Sequence, residues 1–279
     1  SRAAEYLYIT QPSLTRQIQN MEKEIGRPLF ERGGRKMTLT ETGMMLKKRA
    51  EEIVSLYEKT ETELMRPPPE IGGDVTIGGG ETYAMKLIAD TAMSLRDEYP
   101  NIRFHLHSGD IEDICERLDK GLIDFGVVID PADLTKYEHL RLPVTDKWGI
   151  VMRKDNPLAE KEGISPEDLQ GVPLIHSRHA FSRGHVVDWF GGTDGLNIAA
   201  TFNLLYNAAL MAKAGVGVVL SIDKLCNTSE GSELCFRPLS PPLESRLNLI
   251  WKKYQIFSSA AQLFLARLRE KIAAFPEKA

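Results

Sequence analysis

Six polar side chains, Gln11, Ser13, Thr15, Arg16, Gln17 and Gln19, crowd into nine residues near the start of the chain, around Pro12. These are the groups that read nucleic acid: Arg forks onto guanine, Gln pairs with adenine, and hydroxyls meet phosphate. A little further on, Arg32, Arg35 and Lys36 flank Gly33-Gly34. Cations at the tip of a hairpin suit phosphate or the minor groove. A third set has different chemistry. Gly78-Gly79-Gly80-Glu81-Thr82 and Ser108-Gly109-Asp110 each stand between a strand-like and a helix-like run. Such junctions offer free N–H groups suited to a carboxylate or phosphate, with Gly80, Glu81, Thr82, Ser108, Gly109 and Asp110 as candidate ligand contacts. The glycines are not a P-loop, because no Lys-Ser/Thr follows at the required spacing. The pairs His105/His107 and His176/His179 lack further ligands or a nucleophile motif, so no metal, cofactor or catalytic residue is expected.

The first polar set needs a helix to display it. Ala3, Ala4 and Leu7 form a short helical stripe, Thr10 is a good N-cap, and Pro12 sits in the first turn. Leu14, Ile18, Met21 and Ile25 then share one face, and Gly26 ends the helix. Two short helices joined by a tight turn, the second rich in base-reading side chains, describe a helix-turn-helix. A solvated polar face is the bland alternative. Pro28 to Thr40 reads as a strand, a Gly-Gly turn and a returning strand, which makes the basic hairpin a wing.

The runs Ser1-Arg2-Ala3-Ala4-Glu5, Thr10-Gln11-Pro12-Ser13-Leu14-Thr15-Arg16-Gln17-Ile18, Leu29-Phe30-Glu31-Arg32 and Leu39-Thr40-Glu41-Thr42-Gly43 together resemble the LysR-type transcriptional regulators. The resemblance implies that Gln11, Pro12, Ser13, Arg16 and Gln17 approach the major groove of double-stranded DNA, and that Arg32 and Arg35 serve the wing. It also implies a further helix, ahead of Ser1, packed beneath these two.

Thr40 caps a long helix to about Met65, with Leu46, Ala50, Ile53, Tyr57, Thr60 and Leu64 on a heptad seam and Pro67-Pro68-Pro69 stopping it. A lone helix with an apolar seam needs a partner. Packing on its own body is one answer. Self-pairing is the other, and a homodimer would present two heads to a pseudo-palindromic operator. The resemblance favours the dimer and implies a tetramer beyond it.

From Gly72 strand and helix signals alternate: strands at 75–78, 103–106, 125–129, 148–152, 172–175, 215–220 and 245–251, and helices at 82–99, 111–118, 203–214 and 258–274. This implies a mostly parallel sheet covered by helices. Two α/β lobes, crossed by the chain near Pro143–Lys147 and Leu239–Arg246, resemble the periplasmic-binding-protein-like effector domain of the same family. The expected organisation is a winged helix-turn-helix over 1–43, a linker helix over 44–71, and an effector domain over 72–279. Lobe I takes 72–145 and 247–279, and lobe II takes 146–246. The resemblance also places His176, Ser177, Phe202 and Asn203 on the interlobe cleft, where a small-molecule effector would sit. Glu81 and Asp110 then suit an amine-bearing, hydroxylated or zwitterionic effector, with His176 or Arg178 meeting any carboxylate.

Charge supports this division. The chain of 279 residues carries a net −4, yet residues 1–49 hold ten Lys/Arg against five Asp/Glu, while residues 67–279 hold 23 against 29. A basic head on an acidic body is expected when one part meets phosphate. No apolar run reaches the roughly 18 residues of a membrane span, and no signal peptide is evident, so the chain is read as cytoplasmic. Cys115, Cys226 and Cys235 match no zinc spacing. They leave open a redox-governed or effector-independent regulator of the same fold. A stand-alone solute-binding protein would leave residues 1–66 unexplained.

Overall fold

Helix α1 (Arg2–Tyr6) buries Ala4, and the chain then turns through Leu7, Tyr8 and Ile9, whose N–H groups bond back to the carbonyls of Ala3, Glu5 and Ala4 at 3.0–3.1 Å. Tyr8 takes φ 53°, a left-handed conformation that is uncommon for a residue with a Cβ. Thr10 is extended, and its hydroxyl accepts the Ser13 N–H at 3.4 Å, which starts α2 (Gln11–Ile25) where the sequence predicts. Gly26, at φ 72°, ends it in the left-handed conformation that glycine adopts freely. This computed structural model describes residues 2–31, 37–65, 71–130, 132–181 and 184–275. They form two compact units, 1–65 and 66–279.

In the first unit Glu22 ties α2 to the strand beyond it: its Oε1 accepts the N–H groups of Leu29 at 2.8 Å and Phe30 at 3.3 Å. Strand β1 (Phe30–Glu31) pairs antiparallel with β2 (Thr38–Leu39). The expected wing tip, with Arg32, Arg35 and Lys36, lies outside the described residues. Thr40 then does two jobs. Its hydroxyl donates to the Pro28 carbonyl at 2.7 Å and accepts the Gly43 N–H at 3.0 Å, capping α3 (Glu41–Leu64). Gly43 lies so near the strand that a Cβ there would stand 2.1 Å from the Leu29 carbonyl oxygen. On the predicted seam Leu46 is half-buried, and Ala50, Ile53, Tyr57, Thr60 and Leu64 are exposed.

The second unit contains β3 (Gly73–Gly79), α4 (Met85–Glu98), β4 (Ile102–Ser108), α5 (Ile111–Asp119), β5 (Phe125–Ile129) and β6 (Tyr137–Arg153). It continues with β7 (Pro173–Ser177), α6 (Gly184–Phe190), β8 (Asn197–Phe202), α7 (Leu205–Lys213), β9 (Val218–Ile222), β10 (Leu234–Pro238), β11 (Glu244–Lys252) and α8 (Ser259–Ala273). The strands run β4-β3-β5-β11-β6-β9-β7-β8, with β10 also on β6.

The expected mostly parallel sheet is corrected here. Parallel pairing holds for β3 with β4 and β5, and for β7 with β8 and β9. However, β11 is antiparallel to both β5 and β6, and β6 is antiparallel to β9 and β10. The reason is topological: a chain that leaves one lobe and later returns brings its two crossing strands together in opposite directions. β6 also begins eleven residues before the predicted start at Trp148, because Glu138, His139, Arg141 and Pro143 hide its strand periodicity. Helix α6 and strands β8 and β10 were not predicted. Asn203, expected to open a helix, follows the end of β8, and α7 starts at Leu205.

Each lobe has its own core. One gathers β3, β5, β11, α4 and α8 around Phe125, which stacks on Phe257 at 4.9 Å and meets Phe264 at 5.2 Å. The other gathers β6, β7 and β9 around Ile150, Leu174 and Leu220. Among the described residues no helix is long and apolar enough to cross a membrane.

Gly43→Ala forces a methyl into the Leu29 carbonyl and should destabilise the first unit by about 1–3 kcal/mol, as overpacking does. Far-UV circular dichroism during denaturation will show the head melting early. Tryptophan fluorescence should be unchanged, because Trp148, Trp189 and Trp251 all lie in the second unit.

Candidate functional site

Gln11, Pro12, Ser13, Thr15, Arg16 and Gln17 are all exposed on α2, while Leu14 and Ile18 turn inward. Gln11, Pro12, Thr15, Arg16 and Gln19 line one shallow concavity. Thr15 donates its hydroxyl proton to the Gln11 carbonyl at 2.9 Å, which leaves its methyl and oxygen outward. Of the candidates the sequence singled out on this helix, Gln11, Pro12, Thr15 and Arg16 share that surface, and Ser13 and Gln17 are exposed outside it.

In the second unit a cleft of about 370 Å³ opens between the lobes. Of the candidate ligand contacts, Gly80, Glu81, Ser108, Gly109, Asp110, Ser177, Phe202 and Asn203 line it. Thr82 and His176 do not. Side chains alternate along a strand, so with Ser177 facing the cleft its neighbour His176 faces the core. There Nδ1 of His176 lies 2.8 Å from the Ser177 carbonyl oxygen and the ring rests 4.3 Å from Phe181. Burial holds its pKa below the usual histidine value. Thr82 is buried, accepts the Ala84 N–H at 3.0 Å, and also bonds the carboxyl of Asp146.

Of the N–H groups expected to be free at the two junctions, that of Gly109 is taken, and so are those that open α4 just beyond the first. The Gly109 N–H donates to the Gly79 carbonyl at 3.1 Å, and the N–H groups of Met85, Lys86 and Leu87 are taken by the carbonyls of Thr82, Tyr83 and Ala84. Asp110 caps α5, accepting the Asp113 N–H on Oδ1 at 2.9 Å. Its Oδ2 stands 3.0 Å from Nε2 of His179 on the other lobe. Glu81 also reaches across: Oε2 accepts the Leu205 N–H at 2.6 Å. Leu204, at the N-cap of α7, has no side chain able to cap, so Glu81 performs that task from the opposite lobe.

Other lining groups were not singled out from the sequence. Nε2 of His107 lies 2.5 Å from the Asp113 carboxylate, which also takes Nε of Arg117 at 3.0 Å. Partial burial raises the Asp113 carboxyl, but the hydrogen bonds from His107 and Arg117 outweigh it and hold the carboxyl below its usual value. The spacing of Asp110, Asp113 and Arg117 on one helical face was a readable signal for that pair. Trp148 forms part of the wall, its Nε1 donating at 2.8 Å to Ser245 Oγ on the neighbouring crossover strand. Behind Glu81, Asp146 is buried with Oδ2 unpartnered, and burial pushes its pKa up to about 6 against the pull of Thr82 and Lys224. Lys224 in turn lies 4.8 Å over the Tyr83 ring. The cysteines stand apart from the cleft lining: burial pushes the thiols of Cys115 and Cys226 up, away from the thiolate form, and Cys235 is buried.

A helix-turn-helix head together with a two-lobed α/β body containing a cleft defines a DNA-binding regulator that carries a ligand-sensing domain. Similarity to known proteins narrows the class. Residues 69–273 match the family profile described as the LysR substrate binding domain. Residues 1–44 match the bacterial regulatory helix-turn-helix protein profile of the lysR family. The chain belongs to the LysR family of transcriptional regulators. It is 24% identical over 273 residues to the HTH-type transcriptional regulator YfeR of Shigella flexneri, covering 97% of this chain and 88% of that one. It is 26% identical over 266 residues to the HTH-type regulator YybE of Bacillus subtilis, covering 95% and 90%. Among solved structures, the LysR-family regulator CbnR matches at TM-score 0.74 and 17% identity, covering 97% of this chain and 92% of that one. Full-length CbnR complexed with its target DNA matches at 0.73 and 17%, covering 96% and 93%. These structural likenesses speak for the fold.

Asp146 gives a pH signature. Its carboxyl has a folded pKa of about 6 against a reference value of 3.8, so the charged form penalises folding above about pH 6. As pH falls from 6 towards 4 the folded state takes up the proton first and the penalty disappears. Asp146→Asn should therefore unfold at higher denaturant than the parent at pH 8, by about 1–3 kcal/mol, with the gap closing towards pH 4. Tryptophan fluorescence will follow it.

Proposed function

We propose that Gln11, Pro12, Ser13, Thr15, Arg16 and Gln17 enter the major groove of an operator, with Arg32, Arg35 and Lys36 gripping the flanking backbone as the wing. Residues 1–43 act as the DNA-binding domain, 44–71 as the linker and 72–279 as the effector domain, with lobes at 72–145 plus 247–279 and at 146–246. The observation that carries the reading is the exposure of all six α2 residues, with Gln11, Pro12, Thr15 and Arg16 lining one shallow concavity. Arginine and glutamine there supply base readout, and serine and threonine supply phosphate contacts that set register.

The exposed Ile53, Tyr57 and Leu64 of α3 support self-pairing into a homodimer, with a tetramer as the further assembly. Two heads related by a two-fold axis match a pseudo-palindromic site. In the cytoplasm the protein would sense a small effector in the cleft. Glu81–Leu205 and Asp110–His179 join opposite walls of that cleft. An occupant that favours one arrangement of these contacts shifts the population of lobe arrangements by its differential affinity, and so changes how paired heads sit on DNA.

DNA selected from a random library by the protein should show dyad symmetry. Arg16→Ala should weaken binding to the selected site by about 1–3 kcal/mol and relax preference at one position of each half-site. Equal affinity of parent and variant would remove Arg16 from the reading set. Ile53→Glu combined with Tyr57→Glu should lower the mass in sedimentation equilibrium to that of a smaller assembly and abolish preference for the dyad over a half-site. An unchanged mass would place the subunit contact elsewhere.

A further inference from the structure

We propose that the cleft is built for an effector carrying a cationic nitrogen, an ammonium or a guanidinium, on an apolar body, and that it turns carboxylates and phosphates away. This rests on the cleft being the effector site. An α/β cleft normally seats an anion at helix N-termini, where unsatisfied N–H groups and the positive end of the dipole converge. Here α7 and α5 begin beside the cleft, and one of the chain's own carboxylates is already seated at each end. Glu81 occupies the Leu205 N–H at 2.6 Å, and Asp110 occupies the Asp113 N–H at 2.9 Å. An incoming carboxylate would have to displace one of them and then share the cleft with the charge it displaced.

The rest of the described lining points the same way. Glu81, Asp110 and Asp113 contribute three carboxylates, and among the described residues no lysine or arginine lines the cavity. Its basic side chains are His107 and His179, each already set against a carboxylate. Arg117 answers Asp113 from behind, which leaves Glu81 and Asp110 as the carboxylates for a ligand. A fourth carboxyl, Asp146, lies outside the lining, two residues from Trp148 and so on the same face of β6, buried, with Oδ2 unpartnered and the Lys224 charge acting on it. Trp148 and Phe202 supply aromatic faces beside these acids, and a cation is attracted to such a face when desolvated. An ammonium drawn between Glu81 and Asp110 would compete with the Leu205 N–H and His179. Those are groups of the facing lobe, so binding would act directly on the contacts that hold the walls together.

The test uses pairs matched in body and opposite in charge: phenethylamine with 3-phenylpropionate, isopentylamine with 4-methylpentanoate, and 1,5-diaminopentane with glutarate. Thermal shift and calorimetry on the 279-residue chain compare the parent with Glu81→Gln and Asp110→Asn. Glutamine keeps an acceptor for the Leu205 N–H and asparagine keeps the α5 cap, so both variants should fold, melting somewhat below the parent, and each ligand shift is read from the variant's own ligand-free Tm. The expected result is a raised Tm with at least one amine and none with its carboxylate partner. The amine affinity should fall about ten-fold or more in each variant, as loss of a charge-assisted hydrogen bond requires. A carboxylate that binds, and binds tighter in Glu81→Gln, overturns the charge assignment and leaves the cleft as the effector site. Amine binding indifferent to both variants overturns the cleft reading as well. Silence from all six compounds overturns the proposal.

Discussion

The antiparallel pairing of β6 with β11 is the constraint on which the second unit depends. The chain must pass from one lobe to the other and back, and a buried backbone crossing a lobe boundary has to satisfy its N–H and C=O groups. The two crossings solve this by pairing with each other, from Glu244 opposite Lys147 to Lys252 opposite Tyr137. A register shift between Arg246 and Asn248 interrupts the ladder. At that irregularity side chains take over: Asn248 donates to Asp130 at 2.8 Å, Arg141 donates to the same carboxylate at 3.0 Å, and the Asp130 N–H meets the Arg246 carbonyl at 2.8 Å. The mixed sheet, the position of Trp148 and the burial of Asp146 all derive from laying these strands side by side.

The cleft beside this crossing is polar, yet most of its polar groups already have partners. That matters energetically. A hydrogen bond to a charged group contributes about 1.5–3 kcal/mol when partly buried, whereas an exposed ion pair contributes little. Glu81–Leu205, a hydrogen bond to a charged group, belongs to the first kind, and Asp110–His179, whose partners are each about a third exposed, stands nearer the second. The exception is Asp146, whose buried unpartnered oxygen carries a desolvation cost. It sits on the crossover strand at the junction of Thr82 and Lys224.

Elements announced by local chemistry were legible from the residues. Thr10, Thr40, Asp110 and Ser258 cap the helices they were expected to start or adjoin, because capping depends on three or four consecutive residues. Elements that depend on a neighbour were not. β8 is half-covered at a sheet edge and shows no clear alternation, β10 is five residues long, and the first half of β6 is charged where it faces out. The cleft divides the same way. Its strand-end residues could be listed from position in the fold, but the pairing of Glu81 with Leu205 joins residues 124 apart, and that of Asp110 with His179 exists only once both lobes are built. His176 was misplaced by one step of a strand, which is enough to turn a side chain from cleft to core.

The head is legible for a related reason, and its internal contacts bear on how a signal could use it. Thr40 bonds the Pro28 carbonyl and the Gly43 N–H together, Glu22 holds the Leu29 and Phe30 N–H groups, and Gly43 lets α3 approach the Leu29 carbonyl more closely than any side chain would permit. These contacts link α2, β1 and α3 through successive hydrogen bonds and one close backbone approach. A force that turns α3 about its axis would act through these links on the reading face of α2. In a pair of such helices, the spacing and angle of two reading faces would be set by how the α3 seams pack. Under the proposed pairing, the exposed Ile53, Tyr57 and Leu64 would then be as consequential for site choice as the arginine and glutamines that would touch the bases.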